Sequence, residues 1–151
     1  MQARMANPAL SLPGAFDALQ ALAKSADTGG GISHTLAELV HLRASQINGC
    51  SVCVHMHSRA LKKAGESDDR IWSVAAWRDA PFFTEAERAA LALTEAVTRL
   101  SDREDPVPDE IYETAAKHFD EQALASLIMH IAMINTWNRV NAATRQVAGK
   151  W

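Results

Sequence analysis

Apolar residues recur every three or four positions along most of this chain, and almost nowhere do they alternate with polar ones. That period marks helices with one buried face. Phe16, Leu19, Leu22 and Ala23 share a stripe after Ser11-Leu12-Pro13, and Asp27-Thr28-Gly29-Gly30-Gly31 closes the segment. Leu36, Leu39, Val40 and Ile47 mark a second helix, with Ser33 placed to cap its start and Asn48-Gly49 to stop it. Asn-Gly also turns β-hairpins, but its flanks here lack the period-two alternation of strands. A third helix opens at Cys50 or Ser51 and runs to Ala64-Gly65, with Lys62 and Lys63 suited to the negative end of its dipole.

Ser67-Asp68-Asp69 introduces a short helix that ends near Trp77, before Asp79-Ala80-Pro81. Thr84-Glu85-Ala86-Glu87 is a capping-box pattern, predicting a helix to about Leu100 with Ala90, Leu93, Val97 and Leu100 turned inward. The stretch from Asp102 to Pro108 is a charged, proline-bearing linker; a short helix to His118 follows, and Asp120 caps a long one to about Val147. No segment reads as a strand, a repeat or low-complexity chain. The predicted fold is all-α, one domain over residues 1–151.

The last helix differs from the others. From Leu124 to Ile134 it is apolar nearly all round, which predicts burial on more than one side. In so small a chain, that suggests cover from a second subunit. Its stripe of Leu124, Leu127, Ile128 and Ile131 runs on into Asn135 and Asn138. Amides on a buried stripe must find partners, so these two are expected to anchor a polar network.

Composition narrows the function classes. With 151 residues, 48% hydrophobic and 22% charged, the chain can bury a core without disulfide staples. Net charge is −3 and no basic stripe is present, so nucleic acid is not an expected partner. Met1 to Leu10 lacks the apolar core of a signal peptide. The longest apolar run, Ala123 to Ile134, is broken by Ser126 and His130 and is too short to span a bilayer, so no membrane association is expected. A cytoplasmic protein is the expectation. In a reducing compartment, a close cysteine pair points to redox work or a metal rather than a staple.

Such a pair exists. Cys50 and Cys53 are the only cysteines, His57 follows the second by four residues, and Glu38 precedes the first by twelve. Residues three and four apart share a helical face, so Cys50, Cys53 and His57 line one stripe if the helix starts at Cys50. Adjacent turns bring two cysteines to roughly the 4.4–6.8 Å Cα separation of a disulfide. Cysteines in a first helical turn meet unpaired N–H groups that favour the thiolate. The Asn48-Gly49 turn can fold the preceding helix back to set Glu38 beside His57, with His41 and Ser45 on the same face extending a relay. Glu38 would then orient His57 and raise its basicity, leaving Cys53 partly ionised near neutral pH.

Other readings of the same residues stay open. The pair can be two inert buried thiols. Cys50, Cys53 and His57, with His55, Glu38 or His41 as a fourth ligand, can also form a zinc-binding module. A non-catalytic redox sensor would use the dithiol as a switch. His55 points off the stripe toward the surface, His34, His118 and His130 look isolated and structural, and Trp72, Trp77, Trp137 and Trp151 read as core or interface fillers.

The pattern Glu38-x11-Cys50-x2-Cys53-x3-His57, within "ELVHLRASQINGCSVCVHMH", resembles the active-site signature of the alkylhydroperoxidase AhpD-like family. That family lies in the carboxymuconolactone decarboxylase superfamily of all-helical proteins. "INTWNRV", Ile134 to Val140, is similar to its single-domain members, and the likeness runs from Ser33 to Val140. It implies an AhpD-like helical domain whose helical hairpin carries the cysteine motif. It also implies a peroxidase in which Cys53 attacks peroxide, Cys50 resolves the sulfenic acid as a disulfide, and Glu38 and His57 relay protons. The implied partners are a peroxide, an external dithiol reductant of lipoamide or thioredoxin type, and further copies in a homotrimer or homohexamer. No flavin or haem motif is present, so a reductant is expected but no bound cofactor. The best-known AhpD proteins carry another histidine immediately before the second cysteine; here that residue is Val52, which shortens the relay. The decarboxylase branch lacks the cysteine pair, so its lactone chemistry is not implied.

Overall fold

In the computed structural model, residues 1–28, 31–102 and 104–150 are described, and the expected all-α architecture is what they form. Among them eight α-helices follow in order: α1 (Pro8–Ser11), α2 (Ala15–Asp27), α3 (His34–Asn48), α4 (Ser51–Lys63), α5 (Asp68–Ser73), α6 (Glu85–Thr98), α7 (Asp109–Ala116) and α8 (Glu121–Thr144). No strand occurs among the described residues. No helix of these residues is long and apolar enough to cross a membrane.

Local chemistry starts α3, α5, α6 and α8, and stops α3, where expected. Ser33, Ser67 and Asp120 each accept from a backbone N–H three residues on, closing the first turns of α3, α5 and α8. Thr84 and Glu87 form a reciprocal capping box at α6. Gly49 ends α3 at φ 65°, a left-handed conformation that glycine enters without the clash a Cβ would bring. The chain then turns straight into α4, so α3 and α4 fold back on each other as a hairpin.

The hairpin's first helix is the centre of the molecule. Leu36 and Val40 of α3 pack with Ala90 and Leu93 of α6, Ala115 of α7, and Leu124, Leu127 and Ile131 of α8. Leu39 and Leu42, on another side of α3, pack with Leu61, Ile71, Val74, Trp77, Phe83 and Leu91. Ala44 joins Cys50, Val52, Cys53 and Ile134 in a third cluster. Burying one such leucine fully is worth about 1.5–3 kcal/mol.

Polar ties fix the layers. Glu95 on α6 accepts from Arg43 Nε on α3 (2.7 Å), Trp77 Nε1 (2.9 Å) and Arg78 (2.7 Å). Burial alone would raise this carboxyl, but those donors outweigh it and hold it below the ordinary carboxylate range. The expected amide network is present. Asn48 donates to Oδ1 of Asn135 (2.9 Å) and Asn138 (2.8 Å), Asn138 donates to Ser45 Oγ (3.0 Å), and Asn135 donates to Thr98 Oγ1 (3.1 Å). Arg139 donates to the Asn135 carbonyl and Oδ1, both at 3.0 Å, bracing α8. At Gly31 an added Cβ would stand 2.8 Å from both Ala123 Cα and Ser126 Cβ, so only glycine lets this linker lie against α8.

Several expectations are corrected. Leu100 does not face inward: α6 ends at Thr98, the next residues form a 3₁₀ turn, and Leu100 is 53% exposed. α8 stops at Thr144 rather than Val147, because Arg145 takes a left-handed conformation at φ 52°. Trp72 is exposed and fills no core, whereas Trp77 is buried. Trp151, Gly29 and Gly30 of the glycine closure, and Arg103 of the charged linker lie outside the described residues. Within its own chain, α8 packs against α2, α3, α4, α6 and α7.

Candidate active site

α4 starts at Ser51, which makes Cys50 its N-cap rather than its first helical residue. At φ −81° and ψ 97° the Cys50 side chain turns back over the first turn, and the Cys53 backbone N–H donates to its sulfur at 3.4 Å. The Cys50 thiol in turn donates to the sulfur of Cys53. That bond is the chief reason the Cys53 thiol is lowered to about 6; burial opposes it, while amides of Asn141 and Asn138 and the charge of His57 assist. The same bond, with burial behind it, pushes Cys50 far up. One proton is thus held between two buried sulfurs, and it sits on Cys50.

The sequence pattern pointed to the relay as the cause of Cys53 ionisation. Here His57 is a minor contributor and Cys50 the main one. A thiol of pKa about 6 is roughly nine-tenths thiolate at pH 7.

Asn141, which the sequence pattern did not single out, donates to Cys53 Sγ at 3.4 Å. Its orientation is set from a distance of 134 residues, because Asn7 donates to its Oδ1 at 3.0 Å and leaves the NH₂ aimed at sulfur. The signal for it was present: Asn135, Asn138 and Asn141 continue one stripe of α8 at three-residue intervals. Asn138 favours the ionised form of both cysteines.

On the facing helix, Glu38 is 8% exposed and its Oε2 lies 2.8 Å from His57 Nδ1. With Nδ1–H donated to the carboxylate, Nε2 is the nitrogen left to exchange a proton. Glu38, Cys53 and His57 are therefore brought to one wall as expected, with Cys50 immediately behind. Ser45 is not part of this chain of groups; its hydroxyl donates to the His41 carbonyl at 2.7 Å.

His130, expected to be isolated, is not. Its Nε2 lies 3.2 Å from Asp27 Oδ1, and its Nδ1 lies 3.2 Å from His41 Nε2. Both rings are held below the ordinary histidine range. Burial is the main cause for each; neighbouring histidines add to it at His41, while Asp27 opposes it at His130. His130 Nε2–H thus donates to Asp27, and its Nδ1 must accept from His41 Nε2–H. The remaining nitrogen, His41 Nδ1, is buried with no hydrogen-bond partner, 3.9 Å from Glu38 Oε1.

The zinc set built on the cysteines is not assembled. Among the described residues, the three metal-capable side chains with donor atoms within 4.8 Å of one another are Glu38, His41 and His57, and neither cysteine is among them. His55 is half-buried and its ring lies toward Gly149, neither at the surface nor in this cluster.

Two separate hollows reach the sulfurs. A cavity of about 570 Å³ is bounded by Glu38, His41, Cys53, His57 and His130 on its polar side, and by Phe16, Met56, Met133, Ile134 and Trp137 elsewhere. A smaller cleft of about 250 Å³ reaches Cys50 between Gly49 and residues 141–146. Val52 and Asn141 line both and stand between them.

A model of the carboxymuconolactone decarboxylase family matches residues 13–96. The uncharacterized protein YdfG of Bacillus subtilis is 39% identical over 112 residues, covering 74% of this chain and 75% of its own. A crystal structure of ATU0492 from Agrobacterium tumefaciens, a protein of unknown function suggested to be the antioxidant defence protein AhpD, superposes with a TM-score of 0.90. It is 36% identical and covers 99% of this chain and 100% of that one. The debrominase Bmp8 shares the fold at a TM-score of 0.80, with 24% identity over 90% of this chain and 72% of its own.

Proposed function

The chain belongs to the carboxymuconolactone decarboxylase family, and we propose that within it this protein is a thiol-dependent peroxidase, reducing organic or hydrogen peroxides through a Cys50–Cys53 dithiol–disulfide cycle. The observation that carries this reading is the Cys53 thiolate at the wall of a largely apolar cavity, hydrogen-bonded to a protonated thiol three residues away. The likeness to ATU0492, suggested to act in antioxidant defence, points the same way.

The Cys53 thiolate attacks one peroxide oxygen. The S–O bond forms, the O–O bond breaks, and the leaving alkoxide takes a proton from His57, whose charged ring Glu38 steadies. The products are an alcohol, or water from hydrogen peroxide, and a sulfenic acid on Cys53. Cys50 then gives up its proton and attacks the Cys53 sulfur; the S–S bond forms and hydroxide leaves as water. An external dithiol of lipoamide or thioredoxin type restores both thiols by two exchanges and is itself oxidised to a disulfide. The cleft at Cys50 gives that dithiol its own approach, apart from the peroxide cavity. The cycle uses a reductant and no bound cofactor.

The test is steady-state consumption of an organic hydroperoxide and of hydrogen peroxide with each dithiol class. Multiple turnovers with at least one dithiol are expected. Consumption that stops at one equivalent per chain with every dithiol would leave a redox sensor instead.

The proposed assembly is a homotrimer or homohexamer. Its support within the chain is the set of large apolar side chains left exposed, among them Leu10, Leu12, Met56 and Trp72. Sedimentation at micromolar concentration should give a multiple of the 16.4 kDa chain mass, and a species of 16.4 kDa alone would sink the assignment.

A further inference from the structure

We infer that Glu38, His41 and His57 form a binding site for a divalent first-row transition ion, open toward the cavity beside Cys53. Glu38 and His41 are three residues apart on α3, and His57 comes from the facing helix α4. A Glu-x-x-His pair on one helix with ligands from a neighbour is a recurring way to hold metals between helices. One donor atom from each of the three lies within 4.8 Å of the others. Bonds of 2.0–2.1 Å in a tetrahedral set place donors about 3.3 Å apart. The contraction required is small for side chains on two packed helices.

Two features make the cluster more than a chance grouping. The first is the tautomer imposed from outside it. Asp27 takes His130 Nε2–H, His130 Nδ1 takes His41 Nε2–H, and His41 Nδ1 is left as a buried lone pair with nothing donating to it. Metal-bound histidines commonly have their other nitrogen fixed by an outer partner, and here that partner is His130, backed by Asp27. The second is charge. Among the described residues the ion pairs of the buried Glu38 are with His57 and His41, and neither a lysine nor an arginine reaches it. A divalent cation would satisfy the lone pair and the carboxylate together.

Two imidazoles and one carboxylate suit zinc and its neighbours in the series better than magnesium or calcium. Metal binding is independent of the thiol cycle, but it bears on it: the ion takes the two groups proposed above as the proton relay, and the proton between them leaves to solvent. A bound ion would therefore switch off the relay.

The test uses the Cys50→Ser/Cys53→Ser protein, so that neither thiol nor peroxide turnover enters the result. Zinc should raise its Tm, and one equivalent of Co²⁺ per chain should give d–d absorption without a thiolate charge-transfer band. His41→Gln on the same background should bind Co²⁺ roughly a hundredfold more weakly or worse. If His41→Gln does not fold, by circular dichroism, Glu38→Gln on that background must show the same loss. Absence of the Co²⁺ spectrum and of the zinc shift in the double variant would overturn the site. So would undiminished binding after loss of His41 or Glu38. The peroxidase reading is tested separately, by turnover of the chelated parent, and its failure would leave this site standing.

Discussion

Cys53→Ser is expected to abolish peroxide consumption and sulfenic-acid trapping together, a loss on the order of a thousandfold or more in rate. The nucleophile is the sulfur that the site ionises. Cys50 donates to it, Asn141 donates to it at 3.4 Å, and it faces the larger cavity. Cys50→Ser should behave differently. It should still form one sulfenic acid at Cys53 per chain and then fail to turn over with any dithiol, because no second sulfur remains to close the disulfide. The same variant weakens the main cause of the low Cys53 pKa, since a serine hydroxyl is a different donor at a different reach. The pH midpoint for alkylation of Cys53 should then rise above its parental value of about 6. With a depressed pKa, the parent's reactive fraction is lost as pH falls through about 6, whereas the variant's is lost at higher pH. Sulfenic acid trapped at Cys50 in the Cys53→Ser protein would reverse the two roles. An unmoved midpoint in Cys50→Ser would show that the Cys50 bond does not set the ionisation.

What could be read in the sequence follows from how far each interaction reaches along the chain. The caps at Ser33, Thr84 and Asp120 act within four residues, so their patterns announce them. The cysteine–histidine stripe is equally local. The Glu38–His57 contact spans 19 residues yet is still legible, because one Asn-Gly turn joins the two helices. The second half of the site is different. Asn141 meets Cys53 across 88 residues, and His130 meets His41 across 89. Nothing in the local pattern of α8 distinguishes an amide that braces the fold from one that touches sulfur. Leu100 failed for a related reason. It sits on the apolar period, but the period does not register that Arg99, at φ −107° and ψ 44°, has already left the helix. The apolar girth of α8 does mark burial, but packing by α2, α3, α4, α6 and α7 of the same chain is invisible to a hydrophobicity pattern.

Glu38→Gln is expected to slow the reaction with peroxide by about a hundredfold at neutral pH while barely changing alkylation of Cys53. The two readouts separate because they draw on different groups. Alkylation needs only the thiolate, which Cys50 maintains first and to which His57 contributes least. Peroxide cleavage also needs a proton at the leaving oxygen, and that must come through His57, whose Nδ1 is held 2.8 Å from the carboxylate. Gln keeps the size of Glu38 and an oxygen able to accept from Nδ1–H, so the ring stays in place. It cannot supply the negative charge that steadies a protonated imidazole. The rates are best compared after exhaustive chelation, so that an ion held by Glu38, His41 and His57 does not mask the relay. A fall in both rates together would mean that Glu38 acts on the thiolate itself. If neither rate falls between pH 5 and 9, with the Tm unchanged, Glu38 has no part in proton transfer, and the leaving oxygen must draw its proton from solvent through the cavity.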